Sequence, residues 1–113
     1  MIQASFFENK ESQWLSFTLK GHADSGPYGY DIVCAAVSAL TLSVINNAQR
    51  LLDVSLIIEA EEVEGGFLKA SLPPSFDGKK KAEIQLLLNH LYWSLKDIEE
   101  EYNEHIEVKK IQA

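Results

Sequence analysis

The stretch from Ile32 to Leu52 constrains this chain most. Read as a helix, it carries Ala35, Ala36, Val37, Ala39, Leu40, Leu42, Val44 and Ile45 and is small and apolar almost all round. A helix without a broad polar face has to be enclosed by its own domain or shared with a second subunit. Its most apolar part, Ile32 to Ile45, falls short of the roughly 20 residues a bilayer span takes, so a core helix is expected. The chain has 113 residues. That suits a single domain over 1–113, large enough to bury roughly two-thirds of its unfolded surface.

The segments around this helix read as hairpins. Ile2 to Glu8 carries β-favouring residues, and Asn9-Lys10-Glu11-Ser12 reads as a turn. Trp14 to Lys20 alternates, with Leu15, Phe17 and Leu19 on one face and Ser16, Thr18 and Lys20 on the other, the pattern of a half-buried strand. Val54 to Val63 and Phe67 to Leu72 read as a second hairpin, turned at Gly65-Gly66. A second helix is expected from about Lys79 to Asn103. Its apolar positions Ile84, Leu88, Leu91, Leu95, Ile98 and Tyr102 form one stripe. His105 to Ile111 reads as a last strand. The order ββαββαβ points to an α+β fold, a mixed or antiparallel sheet packed with two helices.

Charge and cysteine content narrow the function. The net charge is −7, which disfavours phosphate backbones and suits a basic partner such as a basic peptide. Direct nucleic-acid binding is therefore not expected, and Lys79-Lys80-Lys81 and Lys109-Lys110 read as solvated surface. The single cysteine, Cys34, makes no internal disulfide and suits a reduced, cytoplasmic setting. Met1 to Ser5 lacks the basic and apolar regions of a signal peptide. No metal or cofactor is expected. His22, His90 and His105 show no ligand spacing, and one cysteine is too few for a thiolate zinc site. Glu99-Glu100-Glu101 sits near a helix C-terminus, where the dipole disfavours it, and no local signal explains it.

Chemistry concentrates in one place, Gly21-His22 followed by Asp31-Ile32-Val33-Cys34. With Asp31 as N-cap, Cys34 is the third helical residue, among unpaired amides at the positive end of the macrodipole. That setting favours thiolate over thiol. The glycine-rich loop before the helix can return His22 to the sulfur. A Cys–His pair suffices for covalent acyl transfer, with Cys34 as nucleophile and His22 as general base and then acid. The helix amides, that of Cys34 included, are candidate oxyanion donors. Each residue also has a plainer role: Cys34 as a small core residue, His22 as a structural hydrogen bonder, Asp31 as a cap, and Ser38, one turn on, as a packing serine.

The string Gly21-His22-Ala23, a glycine-bearing loop, then Gly29-Tyr30-Asp31-Ile32-Val33-Cys34-Ala35-Ala36-Val37-Ser38-Ala39-Leu40 resembles the ribosomal-processing cysteine protease Prp family. The likeness extends over the whole chain. It implies that His22 and Cys34 are the catalytic pair and that Gly21, Asp31 and Ser38 occupy supporting positions of the motif. It further implies a bacterial cytoplasmic endopeptidase, a homodimer, that supports ribosome assembly. The substrate would be the short N-terminal extension of ribosomal protein bL27, cut after an apolar-aromatic stretch. Tyr28, Tyr30 and Phe67 are candidates for the pocket that takes the aromatic side chain. The loop from Ala23 to Tyr30 is expected to close over bound peptide. The competing expectation is a non-catalytic, ribosome-associated module that binds a basic peptide.

Overall fold

The computed structural model describes residues 1–21, 30–61 and 66–113. Strand β1 (Ile2–Glu8) and strand β2 (Trp14–Lys20) form a hairpin, and helix α1 (Tyr30–Leu52) follows. Strands β3 (Ile57–Ala60) and β4 (Phe67–Ser71) come next, then a short 3-10 turn (Gly78–Lys80), helix α2 (Lys81–Glu101) and strand β5 (Ile106–Gln112). The five described strands make one mixed sheet in the order β3-β4-β2-β1-β5. β1 and β5 run parallel and the other neighbours antiparallel. The fold is α+β, in the expected element order.

The first hairpin forms where local chemistry demands it. The Asn9 side-chain oxygen accepts hydrogen bonds from the Glu11 and Gln13 amides at 3.0 and 2.9 Å, an Asx turn. Ser12 takes a φ of 60°. The alternation of β2 is then broken by a bulge. Phe7 pairs with Ser16 but Glu8 pairs with Trp14, so Leu15 is the extra residue. Leu15 is turned outward and exposed instead of joining Phe17 and Leu19, while Trp14 turns into the core. Phe6, Trp14 and Tyr92 meet there with ring centroids 4.9–5.5 Å apart. Gln85 of α2 closes the bulge from above. Its Oε1 accepts from the Trp14 amide at 2.7 Å, and its Nε2 donates to the Trp14 carbonyl at 2.8 Å. The indole Nε1 donates to Asn89 Oδ1 at 2.7 Å.

α2 buries the predicted stripe, with Ile84, Leu88, Leu91 and Leu95 inside and Ile98 and Tyr102 packed at its margin. α1 buries Val33, Val37, Thr41, Val44 and Ala48, while Ile32 and Leu42 stay exposed. By length and composition Ile32–Leu52 is long and apolar enough to cross a bilayer, so shortness does not rule out a span as the sequence reading held. Here its buried stripe packs into the core. The second hairpin is shorter than expected. Val54 and Leu56 are buried ahead of β3, whereas Ile58 and Ala60 are exposed at the sheet edge. The proposed Gly65-Gly66 turn lies partly outside the described residues. Gly66 itself has a φ of +83°.

The far edge of the sheet explains part of the glutamate run. Successive amides of a strand point alternately toward and away from its neighbour, so an edge strand carries open donors. On β5 two of these are closed: the Ile106 amide donates to the Tyr102 carbonyl at 3.2 Å, and the Val108 amide donates to Glu99 Oε2 at 2.6 Å. The other Glu99 oxygen accepts from Lys96 Nζ at 2.9 Å. Desolvation on its own would raise the Glu99 carboxyl. The Val108 amide and the Lys96 ammonium outweigh it and hold the group below its ordinary value. Stabilisation from a depressed carboxylate is present above that ordinary value and is lost as pH falls through the folded-state value. We predict that Glu99→Ala lowers the unfolding free energy by about 1 kcal/mol at neutral pH, since water replaces part of the bond at this edge. Urea titrations of both proteins should show the difference shrinking as the pH is taken below the carboxylate range.

Candidate active site

The candidate site lies at the end of the sheet where β1 and β4 begin and β2 ends. Gly21, just past β2, has a φ of +90°, and its amide donates to the Gly66 carbonyl at 2.8 Å. A Cβ at this position would stand 2.2 Å from the Met1 carbonyl oxygen. The start of β1 thus presses on the backbone of Gly21, and only glycine fits both the contact and the dihedral. This is the physical content of the motif glycine: it fixes where the chain leaves the sheet on its way to His22.

Beside this junction is a cleft of about 490 Å³. One wall is α1, which presents Cys34, Ser38, Thr41 and Leu42. These positions are spaced so that they share one flank of a helix. Ile2 and Leu19 from the sheet and Phe67 and Leu68 from the start of β4 supply apolar wall, and Gly21 and Gly66 complete it. Cys34 is half-buried and outside any disulfide, and it packs against the core next to Val33 and Val37. A thiol in the wall of an open, mainly apolar cleft can reach a bound chain while staying largely shielded from bulk water.

The structure brings together Gly21, Cys34, Ser38 and Phe67 of the residues singled out from the sequence. His22, Tyr28 and the loop expected to close lie outside the described residues. Tyr30 and Asp31 are described as helical backbone only. Because α1 begins at Tyr30, Asp31 is its second residue and not its N-cap, and Cys34 is the fifth. In that register the Cys34 amide faces the Tyr30 carbonyl. It belongs to the helix ladder, so the expectation that it is a spare oxyanion donor does not hold.

Thr41 and Leu42 went unnoticed as cleft residues, although their spacing from Cys34 and Ser38 carries the signal. Of the other histidines, His90 is exposed and His105 half-buried. The His105 amide donates to the Tyr102 carbonyl at 2.8 Å, and its carbonyl accepts from Ile2 at 2.9 Å. Among the described residues no cluster of histidine, cysteine, aspartate or glutamate is arranged to hold a metal.

A family model described as cysteine protease Prp matches residues 1–107. The chain is 32% identical over 108 residues to the ribosomal processing cysteine protease Prp of Bacillus subtilis, covering 96% of each chain. It is 37% identical over 106 residues to that of Staphylococcus aureus, covering 94% of this chain and 95% of the relative. Solved structures agree. A Streptococcus mutans protein superposes with a TM-score of 0.88 at 34% identity, covering 100% of this chain and 96% of its own. The Staphylococcus aureus Prp solved with a covalently linked product peptide superposes at 0.82 with 34% identity, covering 97% and 99%. With a cleft that presents a cysteine, in a fold shared along its whole length with these enzymes, the chain belongs to the Prp family of ribosomal-processing cysteine proteases.

Proposed function

We propose that this protease removes the short N-terminal extension of ribosomal protein bL27 in the cytoplasm, with Cys34 as nucleophile and His22 as general base and acid. The observation that carries the reading is the placement of the chain's one cysteine in the wall of an apolar cleft. The Staphylococcus aureus relative, solved with a covalently linked product peptide and with a substrate peptide, supports covalent chemistry in this family. The net charge of −7 suits a basic ribosomal substrate.

The steps follow from the chemistry of the pair. The Cys34 proton passes to the imidazole of His22. Sγ attacks the carbonyl carbon of the scissile bond, and the tetrahedral intermediate collapses as the C–N bond breaks. The departing amine takes the proton from His22. A thioester joins Cys34 to the N-terminal fragment. Water, deprotonated by His22, attacks that thioester, releases the carboxylic acid and restores the thiol. The apolar wall of Ile2, Leu19, Phe67 and Leu68 favours an apolar or aromatic side chain next to the bond. Ser38, one turn beyond Cys34, and Asp31 support the pair from the same helix.

The exposed face of α1, with Ile32, Ala35, Ala39 and Leu42, supports a homodimer as the working form. Sedimentation should then read about twice 12.7 kDa, and Ile32→Glu should shift the protein toward monomer. A wild-type monomer would remove the dimer from the account. The activity is tested by mass spectrometry of an extended bL27 N-terminal peptide incubated with wild type and with Cys34→Ser. The expected result is cleavage at one bond by the wild type and none by the variant, which still binds. Binding without cleavage by either protein would favour a non-catalytic peptide-binding module.

A further inference from the structure

Thr41 is 2% exposed, yet its Oγ1 has no hydrogen-bond partner among the described residues. A threonine inside a helix ordinarily satisfies its hydroxyl on the carbonyl one turn back, here that of Val37. An unsatisfied buried hydroxyl costs about 1–3 kcal/mol, so such a group is kept where something else completes it. Thr41 lines the cleft that holds Cys34, with the apolar side chains of Val37, Leu42 and Leu68 among the other lining residues.

Position then says what part of a bound chain would meet it. Thr41 stands seven residues after Cys34, two turns along the same flank of α1. At 1.5 Å per residue this is about 10 Å from the nucleophile. An extended peptide advances about 3.3 Å per residue, so a peptide lying along α1 passes Thr41 about three residues from the bond under attack. We propose that Thr41 is a specificity-determining residue: its hydroxyl binds a polar group of the substrate peptide about three residues from the scissile bond. The inference rests on the reading of this cleft as the peptide site. The polar group is an amide or hydroxyl of the peptide, from its backbone or from a side chain. In an otherwise apolar cleft a single such contact fixes the register of the peptide, because a slipped chain leaves Thr41 unpaired again.

The test compares wild type, Thr41→Val and Thr41→Ser on an extended bL27 peptide and on a truncated peptide that stops short of the third residue on either side of the bond. Valine keeps the shape and removes the hydroxyl. We expect Thr41→Val to fold with an unchanged or higher melting temperature. It should lower kcat/KM on the long peptide roughly tenfold, the size of one neutral hydrogen bond, mostly through KM. On the truncated peptide it should match wild type, and Thr41→Ser should retain the activity on the long one. Alanine replacements two to four residues from the bond separate the sources. If one of them abolishes the difference between wild type and valine, that side chain is the partner; if none does, it is the backbone. Equal kcat/KM for wild type and Thr41→Val on the long peptide would overturn the proposal, as would equal losses on both peptides. If wild type cleaves neither peptide, the protease reading fails separately. The Thr41 contact is then read from the peptide Kd values, with the same tenfold difference expected and equal values refuting it.

Discussion

The α1 stripe of Val33, Val37, Val44 and Ala48 has to be buried, and that constraint sets the rotation of the helix. Once these side chains are in the core, positions 34, 38, 41 and 42 are carried to one flank, where the helix meets the ends of β1, β2 and β4. The thiol is thus placed by packing at other positions, each of which contributes the usual transfer free energy of a buried aliphatic group, roughly 1.5–3 kcal/mol for the larger ones. A reactive group held on a packed helix is positioned more precisely than one on a loop. The remaining constraint is the close approach of Met1 to Gly21, which fixes the other wall.

The opposite end of the molecule serves stability. The bulge at Phe7/Glu8 turns Trp14 inward, and its aromatic neighbours and the Gln85 and Asn89 side chains hold it there. Lys110 Nζ lies 5.5 Å from the Trp14 and Tyr92 ring centroids, so β5 is tied to the same cluster by cation–π attraction. Glu99 closes a donor on the exposed edge of β5, which blunts pairing with other chains. Sheet order puts β1 at the junction of both halves, next to β2 on one side and β5 on the other.

Much of this was legible from residues alone, and the exceptions share a cause. β1, β2 and the Asn9 turn were readable because alternation and Asx chemistry are local. The α2 stripe was readable because its period is helical over many turns. The bulge was not, since one extra residue in β2 is decided by how Trp14 packs under α2. The start of α1 was placed at Ile32 behind a good capping residue, Asp31, whereas the helix begins two residues earlier, at Tyr30. That shift of two residues places the Cys34 amide within the helix ladder. Glu99 looked unfavourable near a helix end because its partner, Val108, belongs to a strand the helix meets only in the folded chain. The cysteine was marked by its motif, and Ser38 by helical spacing. The same spacing continued to Thr41, whose hydroxyl, without a partner among the described residues, shows only in the structure.

The central claim, that Cys34 is an activated nucleophile in an accessible cleft, is tested most directly by the pH dependence of its alkylation. The rate of iodoacetamide addition at Cys34, followed by intact mass on the native protein and on His22→Ala, gives the answer. The account predicts fast, single-site modification of the native protein well below the ordinary thiol pKa of about 8.5, with His22→Ala shifting the profile upward. A thiol that reacts only after the protein unfolds would contradict it and return Cys34 to the core.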